Sequence, residues 1–280
     1  MTGYDWISFT TDYGLSDGYV AACHGVIVRL TPTARVIDIT HLVPPGDVSR
    51  GAEVLAQTVG HLPPAVHAAV VDPGVGTDRR GVALRTPGGL LVGPDNGLLL
   101  PAADALGGVT DAVDLTNPDW LAPQVSRTFH GRDVFAPVAA RLASGAPLAQ
   151  AGTALDPAAL VRLPEPLVRI ADDWVEAPVA TVDHFGNVQL ALAGSTLDRF
   201  GGTIRVARAG GSPAGDRTAR RGGTFGDVPP GELVAHVDSA GRVALAVNGG
   251  RAADLLAVMV GDRLRLYRST VGDHPDDTMD

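Results

Sequence analysis

Over its first half the chain alternates short apolar strand patterns with amphipathic helix patterns, and this alternation narrows the possible folds more than anything else in the sequence. Runs at 6–10, 36–39, 66–71, 82–84, 90–92 and 109–115 have the length and apolar content of buried strands. Between them, 17–30 places Val20, Cys23, Val26, Ile27 and Leu30 on one helical face, and 47–62 does the same with Ala52, Leu55, Val59 and Leu62. Two further helices are predicted near 98–106 and over 132–142, the second with Val134, Phe135, Val138 and Leu142 as its stripe. Strands separated by helices of this length predict an α/β domain with a largely parallel sheet. Near Gly145 the texture changes. Pro147, Pro157, Pro164, Pro166 and Pro178 punctuate a stretch without strong periodicity, which reads as a linker. Beyond it, β-type runs at 179–182, 188–190, 204–206, 233–237, 243–247 and 264–266 are separated by glycine-rich turns, the pattern of a small all-β sandwich or barrel. The expected organisation is therefore an α/β domain over 1–165, a proline-rich connection to about 176, an all-β domain over 177–270, and a frayed acidic tail at 273–280.

Composition removes several functions. The 280 residues are 45% hydrophobic, enough for packed cores, and no run approaches the roughly 18 apolar residues of a membrane span. The first residues, Met1-Thr2-Gly3-Tyr4-Asp5, have neither a basic region nor an apolar signal core, so a soluble, cytoplasmic protein with no membrane partner is expected. There is no lysine: all 22 basic residues are arginine, which excludes phosphate-loop, Schiff-base and kinase-type lysines. A single cysteine, Cys23, excludes an internal disulfide and a cysteine-rich zinc site, and its place on an apolar helix face makes it core. A formal net charge of −9 gives no electrostatic footprint for nucleic acid.

The chemistry-bearing residues sit where strands end. Thr10-Thr11-Asp12-Tyr13-Gly14-Leu15-Ser16-Asp17 follows the first strand, and loops at the carboxyl ends of parallel strands are where such domains bind ligands. Ser16 or Asp17 can serve as a helix cap, whereas Asp12 has no capping role and is the better ligand candidate. Asp72-Pro73-Gly74-Val75-Gly76 follows the third strand and leads to Arg79-Arg80; it misses the dinucleotide fingerprint because Arg79 stands where the third glycine belongs. A carboxylate with two arginines across a turn fits either a surface ion pair or a site. His130, in Phe129-His130-Gly131-Arg132-Asp133, is a candidate acid or base at a loop–helix junction. The other histidines show no metal-ligand spacing. In the second domain, Asp183-His184-Phe185-Gly186-Asn187 and Asn248-Gly249-Gly250 have turn chemistry and need be nothing more.

Taken in order, Thr11-Asp12-Tyr13-Gly14 with Asp17, Asp72 to Gly76 with Arg79-Arg80, Pro94-Asp95-Asn96-Gly97, Phe129 to Asp133, Asp183 to Asn187 and Asn248-Gly249-Gly250 form a set that resembles the S-adenosylmethionine hydroxide adenosyltransferases, relatives of fluorinase and chlorinase. The resemblance spans about 6–268. It implies hydrolysis of S-adenosylmethionine to adenosine and L-methionine without metal or other cofactor. It also implies a homotrimer, with each site between the first domain of one copy and the second domain of its neighbour. Asp72, Arg79 and His130 match the family's water-activating set. Asp12 would hold the ribose diol, and Asp17 and Asp183 the methionine ammonium, with Ser239 near its carboxylate. Asn187 and the Asn248–Gly249 backbone would read the adenine edge, Phe225 would stack on it, and Phe129 would join the substrate-binding residues. Two departures from the halogenating members bear on the methionine pocket: Gly46 stands in place of a tryptophan, and Ala240 in place of an arginine after the serine. Transfer to a halide, a non-catalytic binding module and a metal-dependent hydrolase are the competing functions.

Overall fold

The computed structural model describes residues 3–212 and 215–268. The chain divides into two units, Met1–Pro164 and Glu165–Asp280. The tail at 273–280 lies outside the described residues.

The first unit contains β1 (Trp6–Thr11), α1 (Tyr19–Leu30), β2 (Arg35–Thr40), α2 (Val48–Val59), β3 (Ala65–Val70), β4 (Gly81–Thr86), β5 (Gly89–Pro94), α3 (Leu100–Ala105), β6 (Asp111–Asp114), α4 (Ala136–Ala143) and β7 (Thr153–Leu155). They build one seven-stranded sheet in the order β2-β1-β3-β5-β4-β6-β7. Pairing is parallel through β2-β1-β3-β5, and β4, β6 and β7 extend it antiparallel. Every residue of β3 and β5 is buried, which is why both read as unbroken apolar runs rather than alternating ones. One face packs Phe9, Val66 and Val92 against Ile27 of α1 and Phe135 and Leu142 near α4. The other packs Ala69 and Leu91 against Leu55 of α2 and Ala102 of α3. Each large side chain so buried stabilises the unit by about 1.5–3 kcal/mol relative to exposure.

Two helix starts depart from expectation. α1 begins after Gly18 with no side-chain cap, so neither Ser16 nor Asp17 caps it. The predicted helix over 132–142 is instead a π-helical turn, Gly131–Phe135, running into α4. The cause is Pro137, which has no N–H to offer the Asp133 carbonyl four residues back. That carbonyl accepts from Ala122 N instead, at 2.8 Å. By contrast α2 starts as predicted, with the Asp47 side chain accepting from Arg50 N at 2.9 Å.

The second unit contains β8 (Arg169–Ile170), β9 (Trp174–Val182), β10 (Val188–Ala193), β11 (Thr203–Arg208), β12 (Arg217–Arg221), β13 (Leu233–Val237), β14 (Arg242–Val247), α5 (Ala252–Leu256) and β15 (Arg263–Arg268). The strand order is β10-β14-β13-β12-β11-β15-β9-β8, and β9 also pairs with β10, closing a barrel with β8 as an appendage. Closure depends on β9 being nine residues long, so that its first half pairs with β15 and its second with β10. The barrel interior is Val179, Leu190, Ile204, Leu245 and Leu266. Glu176 of β9 is 2% exposed and is held by Arg263 (2.8 Å) and Arg265 (2.8 Å). Burial would raise its carboxyl, but these guanidinium hydrogen bonds hold it below the usual carboxylate range. Among the described residues no helix is long and apolar enough to cross a membrane.

Candidate active site

The loop between β3 and β4 and the residue that opens the π-helical turn bring three of the sequence candidates into contact. Arg79 Nε donates to Asp72 Oδ1 at 2.9 Å and Oδ2 at 3.0 Å, and Arg79 Nη2 donates to Asp72 Oδ2 as well. The same Nη2 lies 2.8 Å from His130 Nδ1. A guanidinium has only donors, so His130 Nδ1 must be the acceptor, and the neutral ring carries its proton on Nε2. Burial, reinforced by the Arg79 charge, lowers the His130 pKa from its ordinary 6.5, consistent with that neutral form. The guanidinium rests over the Phe135 ring, 5.2 Å from its centroid. A cavity of about 330 Å³ borders Arg79 and His130 on the β4 side, giving water access to the group.

Arg80 points elsewhere. Its Nε and Nη2 hold Asp95 Oδ2 at 2.9 and 2.6 Å, and Nη2 also donates to Ala159 O at 2.6 Å. Asp95 Oδ1 in turn accepts from Val161 N at 2.9 Å. Arg80 thus fastens the segment after β7 to the sheet, and adjacent arginines of equal charge have different partners.

Tyr13 is the neighbour that sequence reasoning quoted but gave no role. Its ring meets Phe129 edge-on at 5.7 Å, and Phe129 meets Tyr19 at 5.2 Å. Burial first, then the neighbouring Cys23, Asp12 and Asp72, push its phenol well above the ordinary 10, so it stays protonated at any working pH. Its hydroxyl lies where a Cβ on Gly131 would be, 2.0 Å away. Gly131→Ala is therefore expected to displace Tyr13 and destabilise the unit by about 1–3 kcal/mol, read as a lowered midpoint in denaturant unfolding. The aromatic cluster offered a signal in hindsight: Tyr13, Tyr19 and Phe129 are three of the few aromatics in the chain.

Asp12 follows β1, and its Oδ2 accepts from Gly46 N at 2.8 Å, leaving Oδ1 without a protein partner among the described hydrogen bonds. Asp17 is exposed in the same loop. In the barrel unit, Asp183 and Asn187 face each other across a tight turn: Asn187 N donates to Asp183 Oδ1 and Asn187 Nδ2 to Oδ2, both at 2.8 Å. With Nδ2 so used, Asn187 Oδ1 remains to accept from a ligand. This turn adjoins the segment after β14, since Ala253 N donates to Gly186 O at 3.0 Å and Arg251 Nη1 to His184 O at 2.9 Å. Asn248 Nδ2 donates to Val228 O at 2.7 Å, which ties in the turn carrying the half-exposed Phe225. Gly249 has φ +72 and open space beside it, so its backbone is accessible. Asp183, Asn187, Phe225, Asn248 and Gly249 thus gather at one end of the barrel. Ser239 does not join them. It is exposed in the β13–β14 turn, about 20 Å along the hairpin from Asn248 at 3.3 Å per residue.

The family model for the SAM hydroxide adenosyltransferase N-terminal domain matches residues 7–152, and that for the C-terminal domain of the same family matches 177–265. The chain belongs to this family. Within it, a Salinispora arenicola protein named (R)-S-adenosyl-L-methionine hydrolase is 68% identical over 95% of this chain and 99% of its own length. A Thermus thermophilus protein of the same name is 38% identical over 93% of this chain and 98% of its own length. A Nocardia brasiliensis fluorinase is 30% identical over 86% of this chain and 90% of its own length. Among solved structures, an uncharacterized conserved protein from Thermotoga maritima superposes with a TM-score of 0.86 at 38% identity, covering 94% of this chain and 100% of that one.

Proposed function

We propose that this enzyme hydrolyses (R)-S-adenosyl-L-methionine to adenosine and L-methionine by displacement at C5′, with no metal or other cofactor in the chemical step. The observation that carries the reading is the hydrogen-bonded chain Asp72–Arg79–His130. The substrate is a sulfonium, so its leaving group is a neutral thioether that needs no protonation. The C5′–S bond breaks with its electron pair going to sulfur, and a C5′–O bond forms to the incoming oxygen. What the protein must supply is a nucleophile held in line and made more basic than water, whose pKa is near 15.7.

Arg79 stabilises the negative charge that develops on the attacking oxygen. Asp72 Oδ1 accepts a single N–H from Arg79, against two at Oδ2, so it retains a lone pair to take the water proton. His130, with Nδ1 engaged by Arg79, presents Nε2–H as a donor that orients the nucleophile rather than as the base. In this reading Asp12 Oδ1 binds the ribose diol, and Asp17 and Asp183 the ammonium. Asn187, Asn248 and Gly249 read adenine, and Phe129 and Phe225 supply aromatic walls.

The enzyme works as a cytoplasmic homotrimer that joins the first unit of one copy to the second unit of its neighbour. The exposed apolar side chains Leu15, Tyr19 and Leu42 near the Asp12 loop, and Phe185 near Asn187, support such burial. Light scattering after gel filtration is expected to return three chains per particle.

Incubation with each sulfonium epimer, followed by chromatography of the nucleoside, tests the activity. Adenosine from the (R) epimer is expected, and a 5′-halogenated adenosine as dominant product at ordinary salt would replace this reading with halide transfer. The pH profile is a second check. Because the folded enzyme holds His130 below its ordinary 6.5, kcat/KM should stay flat from about pH 8 down to 6.5 and fall only in more acidic solution, where a proton on Nδ1 would face Arg79. The same shift removes stability as pH falls through 6.5, since the unfolded chain then binds more protons than the folded one.

A further inference from the structure

On the opposite side of the β1 strand end from the trio's partners, two histidines that no sequence spacing connects converge on one carboxylate. His24 comes from α1, Asp38 from β2, and His41 from the turn just after β2. His24 Nε2 lies 2.9 Å and His41 Nε2 3.1 Å from the same atom, Asp38 Oδ1. One ligand atom from each of the three lies within 4.8 Å of the others.

His41 is the informative member. It is 4% exposed, yet its Nε2 makes no hydrogen bond. At 3.1 Å from Asp38 Oδ1 only direction can prevent one, so the nitrogen's axis passes beside the carboxylate oxygen rather than through it. A buried ring nitrogen left without a hydrogen-bond partner costs free energy unless something else satisfies it. The ring is also fixed as a ligand needs to be: Nδ1 bonds Thr11 Oγ1 at 2.9 Å, and the ring meets Phe9 edge-on at 5.2 Å.

We propose that His24, Asp38 and His41 bind a divalent transition-metal ion, zinc by first preference. Two imidazoles and a carboxylate suit zinc, cobalt or nickel, and are a poor set for magnesium or calcium, which take oxygen ligands. Bonds of about 2.0–2.2 Å in a tetrahedral site put ligand atoms about 3.3–3.6 Å apart, a few tenths of an ångström more than the nitrogen–oxygen separations of 2.9 and 3.1 Å present. Asp38 is 42% exposed, so an ion has a path in and a solvent-facing fourth position. The site is distinct from the proposed chemistry, since it shares no residue with Asp72, Arg79 and His130. Its effect is on the scaffold. His41 O accepts from Gly14 N at 2.8 Å and its ring holds Thr11, so an ion tying His41 to α1 and β2 braces the loop that carries Asp12.

Full-length protein stripped with chelator and titrated with Co²⁺ provides the test, because four-coordinate cobalt has strong visible d–d bands. One equivalent per chain is expected, displaced by Zn²⁺ and not by Mg²⁺, with a raised unfolding temperature on Zn²⁺ binding. Asp38→Asn and His24→Gln, at partly exposed positions that the fold tolerates, should each weaken binding tenfold or more. His61→Ala, at an exposed position, should leave it unchanged, which separates this site from a scattered surface histidine. Cobalt affinity in D38N and H24Q equal to that of the unaltered protein, with native circular dichroism in both, would overturn the proposal. So would displacement of cobalt by magnesium as readily as by zinc.

Discussion

Arg79→Ala is expected to reduce turnover about a hundredfold or more while leaving substrate affinity nearly unchanged, because the charge it removes acts on the attacking oxygen and not on the ribose or adenine contacts. The loss should extend beyond the charge itself. Without Arg79, Asp72 loses its guanidinium partner and His130 loses the donor that sets its tautomer. Asp72→Asn and His130→Ala should therefore fall in the same direction, and double variants should lose far less than the product of the single effects, as expected of groups that act together. Arg80→Ala is the internal control. It leaves the trio in place but strips the 7%-exposed Asp95 of its cation and frees Ala159 O. Its signature is a stability loss of about 1–3 kcal/mol with turnover retained. If Arg80→Ala abolished turnover while Arg79→Ala kept it, the assignment would move by one residue; if both kept it, the charged-nucleophile mechanism would fail.

Phe135→Ala should give the largest loss of stability, about 3–5 kcal/mol, as expected for deleting a fully buried aromatic ring. Phe135 packs among Phe9, Val66 and Val138 in the core between the sheet and α4, and its ring edge comes within 3.1 Å of the position a Cβ on Gly81 would take. The cavity left behind cannot collapse easily, since the surrounding strands are fixed by their ladders. The same ring supports the Arg79 guanidinium at 5.2 Å. Turnover of the folded fraction should therefore drop as well, whereas Phe135→Leu should restore most of the stability and only part of the activity. Equilibrium unfolding in urea, with activity corrected for the folded fraction, separates the two effects.

The parts of the fold legible in the sequence were those written in apolar periodicity. β3 and β5 announce themselves as unbroken apolar runs because both faces of the sheet are covered, and α2 because its stripe follows an Asp cap. The rest depends on partners distant in the chain. β12, Arg-Thr-Ala-Arg-Arg, buries only Ala219 and carries no readable alternation, so its parallel pairing with β13 appears only in three dimensions. The direction of β4, β6 and β7 is likewise set by connections, not by side-chain pattern. The π-helical turn was hidden because Pro137 looks like an ordinary first-turn proline until the Asp133 carbonyl is seen to need another donor.

At the site, Asp72, Arg79 and His130 were each visible as strand-end or loop–helix residues, but their mutual contact spans 51 positions between arginine and histidine. The separate employment of Arg80 was invisible for the same reason. His24 and His41 escaped notice because they lie on different elements and meet, at Asp38, only in the folded chain.

Turnover in water enriched in the heavy oxygen isotope tests the central claim most directly. Attack of activated water at C5′ predicts one labelled oxygen in the 5′-hydroxyl of adenosine and none in methionine, with the Arg79→Ala protein slowed about a hundredfold or more in forming that same product. Adenosine without label, label in methionine, or a nucleoside bearing a halogen in place of the 5′-hydroxyl would contradict it.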